Sequence, residues 1–85
     1  MRTLSAVPDL AGIRRNKGLS LDHVARITKI AMRYLEAIER GQFAKLPGGI
    51  YNTSYIRQYA RIVECDEASL LASYYGAVDA GIVES

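Results

Sequence analysis

One cysteine, one phenylalanine, one histidine, two prolines and no tryptophan are spread over 85 residues. A lone Cys65 forms no intrachain disulfide and no cysteine-based metal cluster, which fits a reducing compartment. Its neighbours Glu64 and Asp66 disfavour a thiolate, so it reads as an inert, partly buried thiol. The sole histidine, His23, stands beside Asp22 with no second histidine or cysteine at ligand spacing and reads as a surface side chain. The pair Gly48-Gly49 lacks the spacing and the lysine of a phosphate-binding loop and reads as a turn. No apolar run approaches the roughly 20 residues that span a bilayer, and the N-terminus lacks the apolar stretch of a signal peptide. These absences leave no metal, no cofactor, no small-molecule substrate and no enzyme to propose. They also point to a soluble, cytoplasmic chain, with any membrane anchor of the natural protein lying beyond Ser85.

Charge of one sign is also in short supply overall, the net charge being +2. Its distribution is uneven. Residues 1–45 hold nine Lys and Arg against four Asp and Glu, whereas residues 46–85 hold two against five. A basic first half permits a phosphate-facing surface, although a solvated basic face is the commoner explanation of so modest an excess. The 49% hydrophobic content is that of a globular chain, and the length is that of one small domain in which every element must feed a single core.

What is present is organised around residues 20–41, SLDHVARITKIAMRYLEAIERG. Ser20 is a good N-cap, and Leu21, Val24, Ala25 and Ile27 give a first helix its apolar side. The helix ends near Thr28. Ile30 then plugs a corner, and Ala31, Leu35 and Ile38 form the buried stripe of a second helix closed by Gly41. Two helices joined in this way are a helix-turn-helix, with Arg33, Glu36, Ala37 and Arg40 on the side that would face a major groove. Lys29 occupies the turn, where a left-handed backbone costs a non-glycine residue about 1 kcal/mol or more, so a wider turn is expected.

Around this unit the pattern predicts an all-α fold of five helices at about residues 6–17, 20–28, 31–40, 50–63 and 67–75, making a single domain of residues 1–75 with 76–85 as a tail or the start of a linker. Residues 1–3 are expected to be loose. The first helix starts at Ser5 or Val7, with Pro8 tolerated in its first turn, Leu10 and Ile13 facing inward, and Gly12 costing about 1 kcal/mol relative to alanine. The QFAKLPGG stretch is a loop anchored by Phe43 and Leu46. On the fourth helix, IYNTSYIRQYARIV, a 100° advance per residue clusters Ile56, Tyr59, Ala60 and Val63 on the buried side. Tyr55 falls at the margin of that side, and Tyr51 lies beyond it next to Ser54 and Gln58. Two tyrosines on adjacent turns make an amphipathic patch of the kind partners use as anchors; the plainer alternative packs both on the Phe43–Leu46 loop. Asp66 caps the fifth helix, Leu70, Leu71 and Tyr74 close the core, and Gly76 ends it.

The run from Gly18 to Leu71 resembles the cytoplasmic domain of the bacterial RodZ family, and more broadly the lambda-repressor-like helix-turn-helix superfamily. The helix-turn-helix is common to very many regulators; the LPGG loop followed by YxxxYIRxYAR is far more specific. The resemblance implies a five-helix lambda-repressor-like domain that docks the actin-like cell-shape filament protein MreB through aromatics of its fourth helix. Those match Tyr51 and Tyr55, with Ser54 and Gln58 beside them; Tyr59 matches too, but helical geometry buries it. It further implies a structural ion pair between Arg14 and Glu39, and a membrane link only through a segment outside this chain, which would place the domain at the cytoplasmic face of the inner membrane.

A DNA-binding regulator is the alternative. It would use Arg26, Lys29, Met32, Arg33, Glu36 and Arg40, with Lys45 as a further phosphate contact. Specific reading of bases draws mostly on Arg, Lys, Asn and Gln, and of the groove-side residues Ala31, Met32, Arg33, Glu36 and Ala37 one, Arg33, qualifies. Weak, salt-sensitive phosphate contacts are what this set supports.

Overall fold

The computed structural model describes residues 9–83. Among them are five α-helices and no strand: α1 (Leu10–Asn16), α2 (Leu21–Thr28), α3 (Met32–Glu39), α4 (Ile50–Val63) and α5 (Glu67–Asp79), with a 3-10 turn at Phe43–Lys45 between α3 and α4. The expectations for residues 1–3, for a helix start at Ser5 or Val7 and for Pro8 lie outside the described residues. Within them α1 begins at Leu10, where Asp9 Oδ1 accepts from the Gly12 N–H at 3.0 Å. A Cβ at Gly12 would meet that carboxylate and push it out of its cap, so the glycine serves the helix start at the expense of helix propensity.

Ser20 caps α2, its Oγ accepting from the His23 N–H at 3.0 Å. The turn that follows is tight rather than wide. Lys29 adopts the left-handed conformation, φ 63° and ψ 23°, and its N–H reaches the Ala25 carbonyl at 2.8 Å. Thr28 holds the corner from both sides, its Oγ1 donating to the Val24 carbonyl at 2.8 Å and accepting from the Ile30 N–H at 3.2 Å. Ile30 is buried. These bonds and that burial offset the roughly 1 kcal/mol that a lysine costs in this conformation. Lys29→Gly is therefore expected to stabilise the domain by up to about 1 kcal/mol, reduced by the greater freedom glycine gives the unfolded chain. A higher urea midpoint at unchanged m-value is the readout; a lower midpoint would mean that the lysine side chain contributes more than its backbone costs.

Three side chains of the helix-turn-helix lie elsewhere than expected. Ile27 is half exposed, because α2 is an outer helix, and it lines a shallow cleft of about 180 Å³ with Gln58, Arg61 and Ile62. Ala31 is exposed as the N-cap of α3 instead of opening its buried stripe. Ala37 is buried and faces no groove, because the 3-10 turn folds back on α3 and widens its covered arc beyond Leu35 and Ile38. Gly41 then reverses the chain at φ 69°, and the Gly41 and Gln42 N–H groups close on the Ile38 and Ala37 carbonyls at 3.2 and 2.8 Å.

α4 is the centre of the fold, packed against α2, α3 and α5. Ile56, Tyr59 and Val63 are sealed from solvent, each such side chain stabilising by about 1.5–3 kcal/mol. The helix start is fastened by a residue the apolar pattern passed over. Asn52, 1% exposed, accepts from the Gly48 N–H at 2.8 Å and donates to the Tyr74 hydroxyl at 3.2 Å, locking the LPGG loop to α5. Phe43 meets Tyr74 edge-on, ring centroids 5.7 Å apart.

Asp66 precedes α5 as expected, but its carboxylate takes the Ser69 hydroxyl rather than a backbone N–H. The helix continues through Gly76 to Asp79 instead of ending at Gly76. A glycine inside a helix costs about 1 kcal/mol, and here Tyr74 before it and the half-buried Ala77 and Val78 after it hold the segment on the core. Of the residues expected as a tail, those described form this last turn of α5 and a reversal at Gly81 that returns Val83 to the interior.

Candidate protein-docking interface

The tyrosines singled out on α4 take part in a row that crosses two helices. Tyr51 is 57% exposed, and its ring centroid lies 6.0 Å from that of Tyr55, one turn further along. Tyr55 is half buried because its other face meets Tyr34 of α3 at 5.8 Å. Tyr34 in turn lies under the Arg33 guanidinium, 4.7 Å from ring centroid to Cζ, and its hydroxyl accepts from that guanidinium at 3.2 Å. The ring partners of Tyr55 are thus Tyr51 and Tyr34, and it also packs against the buried core. Ile50, 82% exposed, lines a shallow cleft on the adjoining face of α4 with Ser54, Arg57 and Gln58. Ser54 and Gln58 lie beside the row on α4, tied to each other by a 3.2 Å hydrogen bond from Gln58 Nε2 to Ser54 Oγ. The rings are tilted at 33° and 45° to one another; aromatic pairs at this separation favour one another by about 0.5–1.5 kcal/mol beyond the area they bury, so each ring supports the placement of the next.

The relative placement of α3 and α4 is set underneath by a single carboxylate. Glu39, at the end of α3, accepts from Arg14 Nε at 2.6 Å and from its second terminal nitrogen at 3.3 Å, and from the Tyr59 hydroxyl of α4 at 2.7 Å. The remaining Arg14 nitrogen donates to the Leu19 carbonyl at 2.9 Å. The two charged side chains are about one-tenth exposed. The Glu39 hydrogen bond, against the opposing effect of burial, raises Arg14 above its ordinary value, while burial and then the Glu39 bond push the Tyr59 hydroxyl far above its own. Three helices thus share one buried anion.

The residues named for DNA contact are dispersed over the outer side of α2 and α3. Arg26 is committed to Asp22 at 2.9 Å. Met32, Arg33, Glu36, Arg40 and Lys29 are all exposed, and among the described residues no carboxylate lies within 4 Å of Lys29, Arg33, Arg40 or Lys45. Arg33, the best reader of bases in the set, is the one that stacks on Tyr34. Burial raises the Cys65 thiol, helped by Asp66 nearby, so it is held as the inert form. Among the described residues no three His, Cys, Asp or Glu side chains converge as metal ligands, and no helix is long and apolar enough to cross a membrane.

Tyr34 was missed in the sequence. Its neighbour Arg33 at the start of a recognition helix drew attention to the groove reading instead, and the pairing with Tyr55 depends on how α3 and α4 cross, which no single helical wheel contains.

The comparisons with known proteins agree with this architecture. The family described as a helix-turn-helix domain matches residues 9–70. The chain is 40% identical over 73 residues to the cytoskeleton protein RodZ of Streptococcus pneumoniae, a match covering 86% of this chain and 26% of that protein. It is 39% identical over 56 residues to the uncharacterized membrane protein YmfM of Bacillus subtilis, covering 66% of this chain and 19% of that protein. It therefore spans about a quarter or less of the length of these curated relatives. No solved structure matches. On the match over most of its length, the chain belongs to the helix-turn-helix domain family, as a RodZ-like member of it.

Proposed function

We propose that this domain is an adaptor that docks a subunit of an actin-like filament of the MreB kind, with Tyr51 and Tyr55 as its anchors and Ser54 and Gln58 at their side. The observation that carries this is the exposed, pre-stacked tyrosine row on α4, in a chain 40% identical to a protein named for the cytoskeleton. Rigid aromatic side chains lose little entropy on binding and dominate the energetics of most interfaces. In a longer, membrane-linked protein, as its relative YmfM is named to be, the domain would work at the cytoplasmic face of the membrane.

The test is titration of the labelled domain with polymerised MreB. Tyr51→Ala is expected to weaken binding by about 30-fold or more, a loss of about 2 kcal/mol, with the thermal midpoint nearly unchanged, since the ring is mostly in solvent and gives up one exposed contact, with Tyr55. Tyr55→Ala is a less clean probe, since it also removes the contact with Tyr34. A folded Tyr51→Ala that binds like the parent would overturn the proposal.

Reading of DNA is the second candidate, favoured by Lys29, Arg33 and Arg40, which are exposed on the outer side of the helix-turn-helix and have no carboxylate within 4 Å among the described residues. An amide NMR titration with a mixed-sequence duplex separates the two. Shifts on α3 that persist at physiological salt support groove binding, and shifts that vanish with salt support phosphate contact without reading.

A further inference from the structure

The docking surface does not stop at α4. We infer that it continues onto α3 as a charged wing formed by Arg33 and Tyr34, and that the partner presents a carboxylate there, next to the apolar surface that receives Tyr51 and Tyr55; this rests on the docking reading above.

The row is continuous: Arg33 to Tyr34 at 4.7 Å, Tyr34 to Tyr55 at 5.8 Å, Tyr55 to Tyr51 at 6.0 Å. Arg33 is exposed, and among the described residues no carboxylate lies within 4 Å of it. It is nevertheless held, by the Tyr34 face beneath it and by the Tyr34 hydroxyl at 3.2 Å. A guanidinium held in one orientation with N–H groups still open is suited to a two-pronged contact with a carboxylate, because less side-chain freedom remains to be lost. The surroundings reinforce the sign. Lys29 and Arg40 are likewise exposed and without a carboxylate partner among the described residues, whereas of the two exposed carboxylates of α2 and α3, Glu36 and Asp22, the second is already neutralised by Arg26. An acidic protein surface is steered toward such a field, and a basic one is turned away.

The experiment repeats the filament titration with Arg33→Glu and Arg33→Lys at low and at physiological salt. Neither substitution touches the core, and a glutamate in the first turn of α3 suits the helix dipole, so circular dichroism should match the parent. Arg33→Glu is expected to lower affinity about tenfold or more at low salt, chiefly through slower association, with a smaller loss at higher salt. Arg33→Lys should keep the steering and lose the two-pronged contact, falling between the two. The Tyr51→Ala loss should be nearly independent of salt. If Arg33→Glu binds the filament like the parent while Tyr51→Ala is impaired, the wing is wrong and the α4 docking stands; if both bind like the parent, both are wrong. If Arg33→Glu loses binding to a DNA duplex and keeps filament binding, the guanidinium serves nucleic acid and the inference is overturned.

Discussion

Glu39→Ala is expected to remove about 3–5 kcal/mol of stability, the cost of stripping one partner from a buried ion pair. A domain of this size has in total about 0.05–0.15 kcal/mol per residue to lose, so the variant should be close to unfolding at physiological temperature. The size of the effect follows from what remains. Arg14 would keep its bond to the Leu19 carbonyl but hold a buried charge with no counter-ion, and the Tyr59 hydroxyl would lose its acceptor in the most enclosed part of α4. Glu39→Gln should cost less, since one amide oxygen still accepts. Replacing Arg14 and Glu39 together with apolar residues should cost less than the sum of the single losses, because neither charge is then stranded. Urea denaturation of the parent, the two Glu39 variants, the Arg14 single variant and the double variant decides it. A loss below about 1 kcal/mol for Glu39→Ala would mean that water reaches the pair and screens it as it would on a surface.

Asn52→Ala is the second large effect, expected at about 2–4 kcal/mol. It leaves the buried Tyr74 hydroxyl and the partly buried Gly48 N–H without these partners, an unmade group costing about 1–3 kcal/mol when fully buried. Tyr74→Phe removes one end of the same chain of bonds and should cost about 1 kcal/mol. If the asparagine works as the clip between the LPGG loop and α5, the two substitutions will be non-additive in a double-mutant cycle. Strict additivity would show that Asn52 acts on the loop alone.

The contrast between these residues and the ones the sequence displays has a physical origin. Ser20, Val24, Ile30, Leu35 and Ile38 announce the helix-turn-helix because capping and helical period are local properties, readable within one or two turns. Tyr51 was legible for the same reason, as a ring on the wrong side of its own helix to be buried. Ala37 was assigned outward because the 3-10 turn that covers it is a tertiary contact. Lys29 suggested a wide turn because its backbone strain is visible in the residue type, while the compensating burial of Ile30 and the Thr28 bonds are not. Asn52 offered no signal at all: a polar residue in an apolar period looks like surface until the loop and Tyr74 arrive to satisfy it. The fifth helix ran past Gly76 because propensity is a weak preference that packing overrides.

The shared carboxylate of Glu39 bears on how the domain comes apart. The residues it joins are 25 and 20 positions away in the chain, and α1, with seven residues, is far below the length at which a helix persists by itself in water. Opening α1 alone would leave the anion without its counter-ion beside α4; opening α4 would take away the Tyr59 hydroxyl and expose the remaining ion pair to water. The short α1 is thereby coupled to α3 and to the central helix α4, and the three helices are set to exchange their amide hydrogens as one cooperative unit rather than as separate pieces.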